Sequence, residues 1–278
     1  MPEMESCRTG LKALPEAATS SCGPTGRTMD KTLESDVKHR GLIATPRPGL
    51  FALGSLESRV AARALAHAKS RDAQMLPEFH QASLDPLFWL QHHTRTRDSH
   101  WREAGATSPY RPFPDKPYFP ALIDEFQAEP VIFVEKSRDM MLSWLCVGFF
   151  TYSAMTNDQR EVLFQSQKED KAVELVDYAK TLYEQQDEAL KRRFPLAKPL
   201  KEQSALKLEF ANGSRIVGIP EGADQIRSFH PWGLLMDEAA FQPEAGEAYD
   251  AAVPVCQKII VVSSAGPGWF ADFVTDIL

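Results

Sequence analysis

Three short polar stretches, each ending an apolar run, hold side chains suited to phosphate chemistry. The first is Glu135-Lys136-Ser137-Arg138, between Val131-Ile132-Phe133-Val134 and an apolar helical stretch from about Asp139 to Ser153. A helix N-terminus offers free amides and the positive end of a dipole to an anion. Lys136 and Arg138 would add charge there, Ser137 lies in the same turn, and Ser143 brings a hydroxyl suited to Mg²⁺. The stretch lacks the G-x-x-x-x-G-K-S/T spacing of a standard phosphate loop, so taken alone it also reads as a basic helix start. The second stretch is Asp237-Glu238, after Leu234-Leu235-Met236. One carboxylate could hold Mg²⁺ and its neighbour polarise a water for phosphoryl transfer; the same pair also reads as an acidic strand end or a helix N-cap. The third is Ser263-Ser264-Ala265-Gly266-Pro267-Gly268, a small-residue turn able to approach a γ-phosphate, or simply a turn.

The elements that must position these residues follow from periodicity. Val131–Val134, Val162–Phe164, Leu234–Met236 and Ile259–Val262 are short apolar runs of the kind buried on both faces of a parallel sheet. Between them, Lys168–Arg193 predicts one long amphipathic helix, with Val173, Leu175, Val176, Ala179, Leu182 and Tyr183 along one side. Asn212-Gly213 predicts a hairpin between Leu206–Phe210 and Arg215–Ile219. Leu56–Ser70 has helical spacing with Ser55 as its cap, and Met1 to about Arg40 reads as a disordered tail. Prolines 109, 112, 114, 117 and 120 exclude regular structure over most of the stretch from Phe88 to Pro120, which reads as an ordered loop anchored by aromatics. Strands alternating with helices predict an α/β fold, a mostly parallel doubly wound sheet beginning near residue 130. Ligands bind such sheets at the carboxyl ends of the strands, where the three polar stretches lie.

The order of these pieces resembles the ATPase domain of the large terminase subunit of tailed bacteriophages, an additional-strand, catalytic-glutamate P-loop motor of the RecA-like class. Arg111-Pro112-Phe113-Pro114-Asp115-Lys116-Pro117-Tyr118 is similar to the segment before that core. Glu135–Trp144 looks like the deviant Walker A of one terminase lineage, with its lysine at the loop's start. Gly222–Arg227 followed by Leu235–Phe241 resembles the approach to and passage through Walker B, and Ser263-Ser264-Ala265 with Gly266–Phe270 resembles the coupling motif. The resemblance implies ATP and Mg²⁺ as cofactors. It implies Lys136, Ser137 and Ser143 at the nucleotide, Asp237 and Ser143 at the metal, Glu238 as the catalytic carboxylate, and Arg138 as a cis finger on the γ-phosphate. Ser263 and Ser264 would couple hydrolysis to movement. Phe113 or a neighbour would stack on adenine, although packing of the Pro-rich loop is the favoured reading. Two departures stand out: Met140-Met141-Leu142 occupies the place of glycine and lysine in a standard loop, and no acidic nuclease region follows the coupling motif.

The expected partners are double-stranded DNA, a portal protein and a small terminase subunit, with a homo-oligomeric ring when docked, in the host cell cytoplasm. The expected organisation is a tail over 1–40, a Pro-aromatic segment over 41–129 and the ATPase core over 130–278. A non-hydrolysing remnant that binds nucleotide or protein is the alternative, and a helicase-like ATPase a third. Composition bounds these readings. With 31 Lys and Arg against 38 Asp and Glu the chain carries −7, so any DNA contact is local or transient. The apolar runs fall short of the roughly 18 residues of a membrane span. Cys7, Cys22, Cys146 and Cys256 are too scattered for a disulfide framework, and His92, His93 and His100 lie near no thiol, which favours loop packing over metal. Lys191-Arg192-Arg193 suits a helix C-terminus and is also the best local basic patch. The purified chain is expected to leave supercoiled plasmid intact with divalent metal present; nicking on an agarose gel would contradict this.

Overall fold

Alternation with a period of two runs through every central strand and divides the interior into two cores. In β4 (Val131–Lys136), Ile132 and Val134 face one core and Phe133 the other. β5 (Glu161–Ser166) splits Val162 and Phe164 from Leu163. β8 (Gly233–Asp237) splits Leu235 from Leu234 and Met236, and β9 (Lys258–Ser264) splits Ile260 and Val262 from Ile259 and Val261. Strands apolar on both faces must be covered on both, which is the sequence cause of the layered α/β architecture. The computed structural model describes residues 49–51, 85–98 and 100–277; the expected tail and the helix at Leu56–Ser70 lie outside the described residues.

Seven strands form one sheet, in the order β1 (Gly49–Phe51), β4, β9, β8, β5, β7 (Arg215–Pro220), β6 (Lys207–Glu209). All neighbours are parallel except the β6–β7 hairpin. The last long strand, β9, is inserted between β4 and β8, so the lysine strand and the Asp-Glu strand are one strand apart. A separate antiparallel ribbon pairs β2 (Arg95–Arg97) with β3 (Tyr110–Pro112). The Pro-rich stretch thus carries a ribbon, flanked by α1 (Pro86–His93) and α2 (Phe119–Ala128), neither of which its sequence pattern announces.

Helix α3 (Leu142–Thr156) is apolar around most of its circumference and is buried between the sheet, α1, α2 and α4 (Glu169–Glu184). The expected helix over Lys168–Arg193 is two helices: α4 stops at Glu184 and α5 spans Glu188–Arg193. The break has a tertiary cause, since the Trp89 indole N–H donates to Gln186 Oε1 at 3.0 Å and His93 Nδ1 meets the Asp187 carboxylate. Both anchors belong to α1 and pull the connection toward it. Helices α6 (Ala223–Arg227), α7 (Ala245–Ala252) and α8 (Trp269–Ile277) line the opposite face. No described helix is long and apolar enough to cross a membrane.

The predicted Asn-Gly turn does more than reverse the chain. Gly213 has φ +83°, as such a turn requires. Asn212 Nδ2 lies within hydrogen-bonding distance of the carbonyls of Ala154, Met155 and Asn157, at 3.0, 3.1 and 2.8 Å, while its Oδ1 accepts the Ser214 N–H at 2.9 Å. The hairpin therefore caps the C-terminus of α3, whose last carbonyls have no partner within the helix. Asn212→Ala is expected to lower unfolding free energy by about 2–3 kcal/mol in denaturant titrations, since the loss strands several acceptors at once.

Candidate functional site

The register of the central strands brings three polar ends to one edge of the sheet. Lys136 pairs with Ser264 and Glu135 with Ser263 across β4 and β9, while Asp237 pairs with Val262 across β8 and β9. Lys136, Asp237, Glu238 and Ser264 converge there and, with Arg138 and Ser143, border a cleft of about 510 Å³. Lys136 Nζ donates to Glu238 Oε1 at 2.6 Å. The Ser264 N–H donates to Glu238 Oε2 at 3.0 Å, and the Ser264 hydroxyl lies 3.3 Å from Oε1. Ser143, in the first turn of α3, donates its hydroxyl to Asp237 Oδ1 at 2.8 Å. Ser263 is buried; its Oγ accepts the Ala240 N–H and donates to the Ser264 carbonyl, both at 2.9 Å.

These contacts fix the local surroundings of the residues that the sequence singled out. Lys136 is the last residue of β4 with its side chain buried, rather than part of an exposed helix start. Glu238 precedes a 3₁₀ turn, Ala239–Phe241, but its side chain makes no cap hydrogen bond to it, and its carboxylate is taken by Lys136 and Ser264. Arg138 is exposed and lines the cleft; Ser137 is exposed and does not. Phe113 is buried against Phe119 with ring centroids 5.8 Å apart and does not line the cleft, in keeping with the favoured packing reading. Met140 and Met141 are half-buried against the larger core and sit just before α3.

The loop joining β4 to α3 is bent at non-glycine residues. Asp139 and Met141 have φ of +61° and +57°, and Glu238 across the cleft has +54°. Left-handed backbone at such residues costs about 1–2 kcal/mol each and persists only where surroundings enforce it. Here the Tyr118 hydroxyl donates to the Met140 carbonyl at 2.9 Å, and the Leu145 N–H donates to the Met141 carbonyl at 3.0 Å. A loop of this kind turns amides toward a concavity without glycine.

The two adjacent carboxylates are driven apart in acidity. Burial pushes Asp237 up to about 6, against the opposing pull of Lys136 and the Ser143 hydroxyl. Glu238 is less buried, and although burial alone would raise it, the hydrogen bonds from Lys136 and Ser264 hold it below the usual glutamate range. The far wall is built by α4 and was not anticipated from sequence. Glu174 accepts from the Tyr178 hydroxyl at 2.6 Å and from Lys171 Nζ at 2.9 Å, and Tyr178 stacks on Trp144 at 4.1 Å. The available signals were Ser166-Gln167, which end β5 at the same edge, and the spacing of Lys171, Glu174 and Tyr178 along one helix face.

No protein-family model matches the chain, and no curated protein is similar to it. Among solved structures, the large terminase of bacteriophage HK97 is similar at 9% identity and a TM-score of 0.49, over 66% of this chain and 38% of that one. The ATPase domain of the Thermus phage P74-26 large terminase is similar at 14% identity and a TM-score of 0.36, over 50% of this chain and 62% of that one. An arginine-to-alanine mutant of that domain is similar at 13% identity and 0.39, over 64% and 74%. The chain thus spans well under half the length of the HK97 terminase.

A carboxyl group raised from 3.8 to about 6 destabilises the folded chain wherever it is ionised. The folded state binds the extra proton between those two values, so the penalty is absent below the lower and complete above the higher, about 3 kcal/mol in size. In metal-free buffer Asp237→Asn is therefore expected to raise stability by about 2–3 kcal/mol above pH ~6, with the gain shrinking toward pH ~4. Denaturant titrations across that pH range check it.

Proposed function

We propose that this chain is the ATP-hydrolysing motor domain of a phage large terminase subunit, with residues 130–278 as its catalytic core. The observation that carries the reading is the convergence of Lys136, the Ser143–Asp237 pair and the Glu238–Ser264 pair, from four separate elements, on one cleft. A lysine, a hydroxyl paired with a buried carboxylate, and a second carboxylate held ionised are the parts that phosphoryl transfer to water requires.

The donor set fits Mg²⁺. Asp237 and Ser143 supply hard oxygen ligands, and the raised pKa of Asp237 marks a buried negative charge that its present partners do not fully compensate. Among the described residues no group of three or more His, Cys, Asp or Glu is placed to cage a metal, so the ion would be held by these two side chains, with waters and phosphate oxygens completing its shell. When bound, Mg²⁺ supplies charge neutralisation at the phosphates.

Each side chain then has a task. Lys136 binds the β- and γ-phosphates, and to do so it leaves Glu238. Glu238 is thereby freed to orient the attacking water and accept its proton, still tethered by the Ser264 amide. Arg138, exposed at the cleft wall, can swing onto the γ-phosphate, whereas Ser137, exposed in the same turn, stands outside the cleft lining. Ser263 and Ser264 tie the end of β9 to Ala240 and Glu238, so a change at Glu238 is felt in the turn that follows. In the whole assembly the chain would act on double-stranded DNA in the host cytoplasm, as a homo-oligomeric ring with a portal protein and a small terminase subunit, coupling hydrolysis to packaging of DNA into procapsids.

Steady-state ATP hydrolysis by the purified chain, with and without duplex DNA, tests the reading. Glu238→Gln is expected to lower kcat by about 10²–10⁴-fold, or roughly 3–5 kcal/mol of barrier, and Lys136→Ala to abolish turnover. A parent chain no faster than both variants would overturn the motor and leave a nucleotide- or protein-binding remnant in its place.

A further inference from the structure

A compact run of arginines stands on the β2–β3 ribbon, outside the cleft. Thr96 is buried, whereas Arg95 and Arg97, its neighbours on either side, are exposed and project from the other face of the strand, roughly 6.8 Å apart along it. The connection to β3 adds Arg102, exposed, with its guanidinium 5.0 Å from the centroid of the half-buried Trp101 ring. From residue 95 to residue 111 the sequence holds four arginines and only two carboxylates. Both carboxylates are engaged, Asp98 by Arg111 at 2.7 Å and Glu103 by His100 at 3.1 Å. Among the described residues, no carboxylate lies within ion-pair distance of Arg95, Arg97 or Arg102.

The ribbon also touches the wall of the nucleotide cleft. β2 packs on α4, and a second cavity of about 330 Å³ lies between them, bordered by Arg97, Asp98 and Trp101 on the ribbon side and by Glu174, Asp177 and Tyr178 on α4. Glu174 and Tyr178 border both cavities. Asp177 and Arg97 border that cavity together, while Glu174 is already bonded to Lys171 and Tyr178. A shift of the ribbon therefore reaches residues of the cleft's far wall through a single helix.

We propose that the β2–β3 ribbon docks on the phosphate backbone of duplex DNA through Arg95, Arg97 and Arg102, with α4 as the link between that contact and the nucleotide cleft. The choice of DNA as the polyanion rests on the proposed function; the surface itself rests on charge and geometry. Guanidinium groups engage phosphate oxygens in pairs, and a backbone contact without base reading suits a motor that moves along any sequence. It also suits a chain whose overall charge of −7 leaves room only for a local contact.

Fluorescence anisotropy of a labelled duplex with the purified chain, across a salt series, tests the proposal. The double variant Arg95→Ala, Arg97→Ala is expected to weaken binding about tenfold or more and to flatten the dependence of log K on log salt by about 2. Arg95→Lys with Arg97→Lys should keep most of the slope, which separates lost charge from lost structure, and Lys191→Ala with Arg192→Ala should change neither. Hydrolysis without DNA should be unchanged in the ribbon variant and its stimulation by DNA lost. Binding by the ribbon variant equal to the parent's, loss confined to the Lys191 and Arg192 variant, or no duplex binding by the parent would each overturn the proposal. Hydrolysis intact beside unaltered DNA binding in the ribbon variant would sink the surface and leave the motor standing. Ribbon-dependent binding by a chain that never hydrolyses ATP would do the reverse.

Discussion

A buried lysine must find a negative partner, and Lys136 finds it in Glu238, 102 residues later in the chain. The rest of the edge is arranged around that pair. Removing one member of such a pair leaves a stranded charge at a cost of about 3–5 kcal/mol, so the strands carrying the two residues are held to one relation. Placing β9 between them satisfies the second oxygen of Glu238 with a strand-end amide and fixes Ser263 against the turn that follows. Asp237, one residue earlier, is left to Ser143, and burial outweighs the opposing pull of that hydroxyl and of Lys136. Two adjacent carboxylates thereby acquire opposite tendencies from their surroundings alone.

Backbone strain follows the same edge. Asp139, Met141 and Glu238 adopt left-handed conformations that most residues avoid, and each sits where a chain leaves a strand to make the cleft. The strain is offset by the packing of the apolar helix α3 and by single hydrogen bonds such as that from Tyr118 to the Met140 carbonyl. A glycine loop would have adopted the same path at no steric cost but with greater freedom in the unfolded chain. Bulky residues here trade local comfort for a loop whose shape is set in advance.

Helix α4 is the mechanical neighbour of everything else in the cleft. Its C-terminal end is turned by Gln186 and Asp187, which answer to α1, and its middle carries the ribbon as well as Glu174 and Tyr178. The stacking of Tyr178 on Trp144 joins it to α3, the helix that supplies Ser143. Elements far apart in sequence therefore share one rigid wall.

Much of this was legible from the order of residues. Strands buried on both faces announce themselves as continuous apolar runs, Asn212-Gly213 announces its turn, and the rule that ligands gather at carboxyl ends singles out Lys136, Asp237, Glu238, Ser263 and Ser264, all but Ser263 lining one cleft and Ser263 bracing it from behind. Such signals are local, written by periodicity and by the backbone demands of single residues. The insertion of β9 between β4 and β8, the break after Glu184 and the wall made by Lys171, Glu174 and Tyr178 were not legible. Each of those depends on which surface meets which across long stretches of chain. The sequence determined what each segment could become; the pairing of distant surfaces, driven by burial and by the need of each buried charge for a partner, decided which side chains face one another.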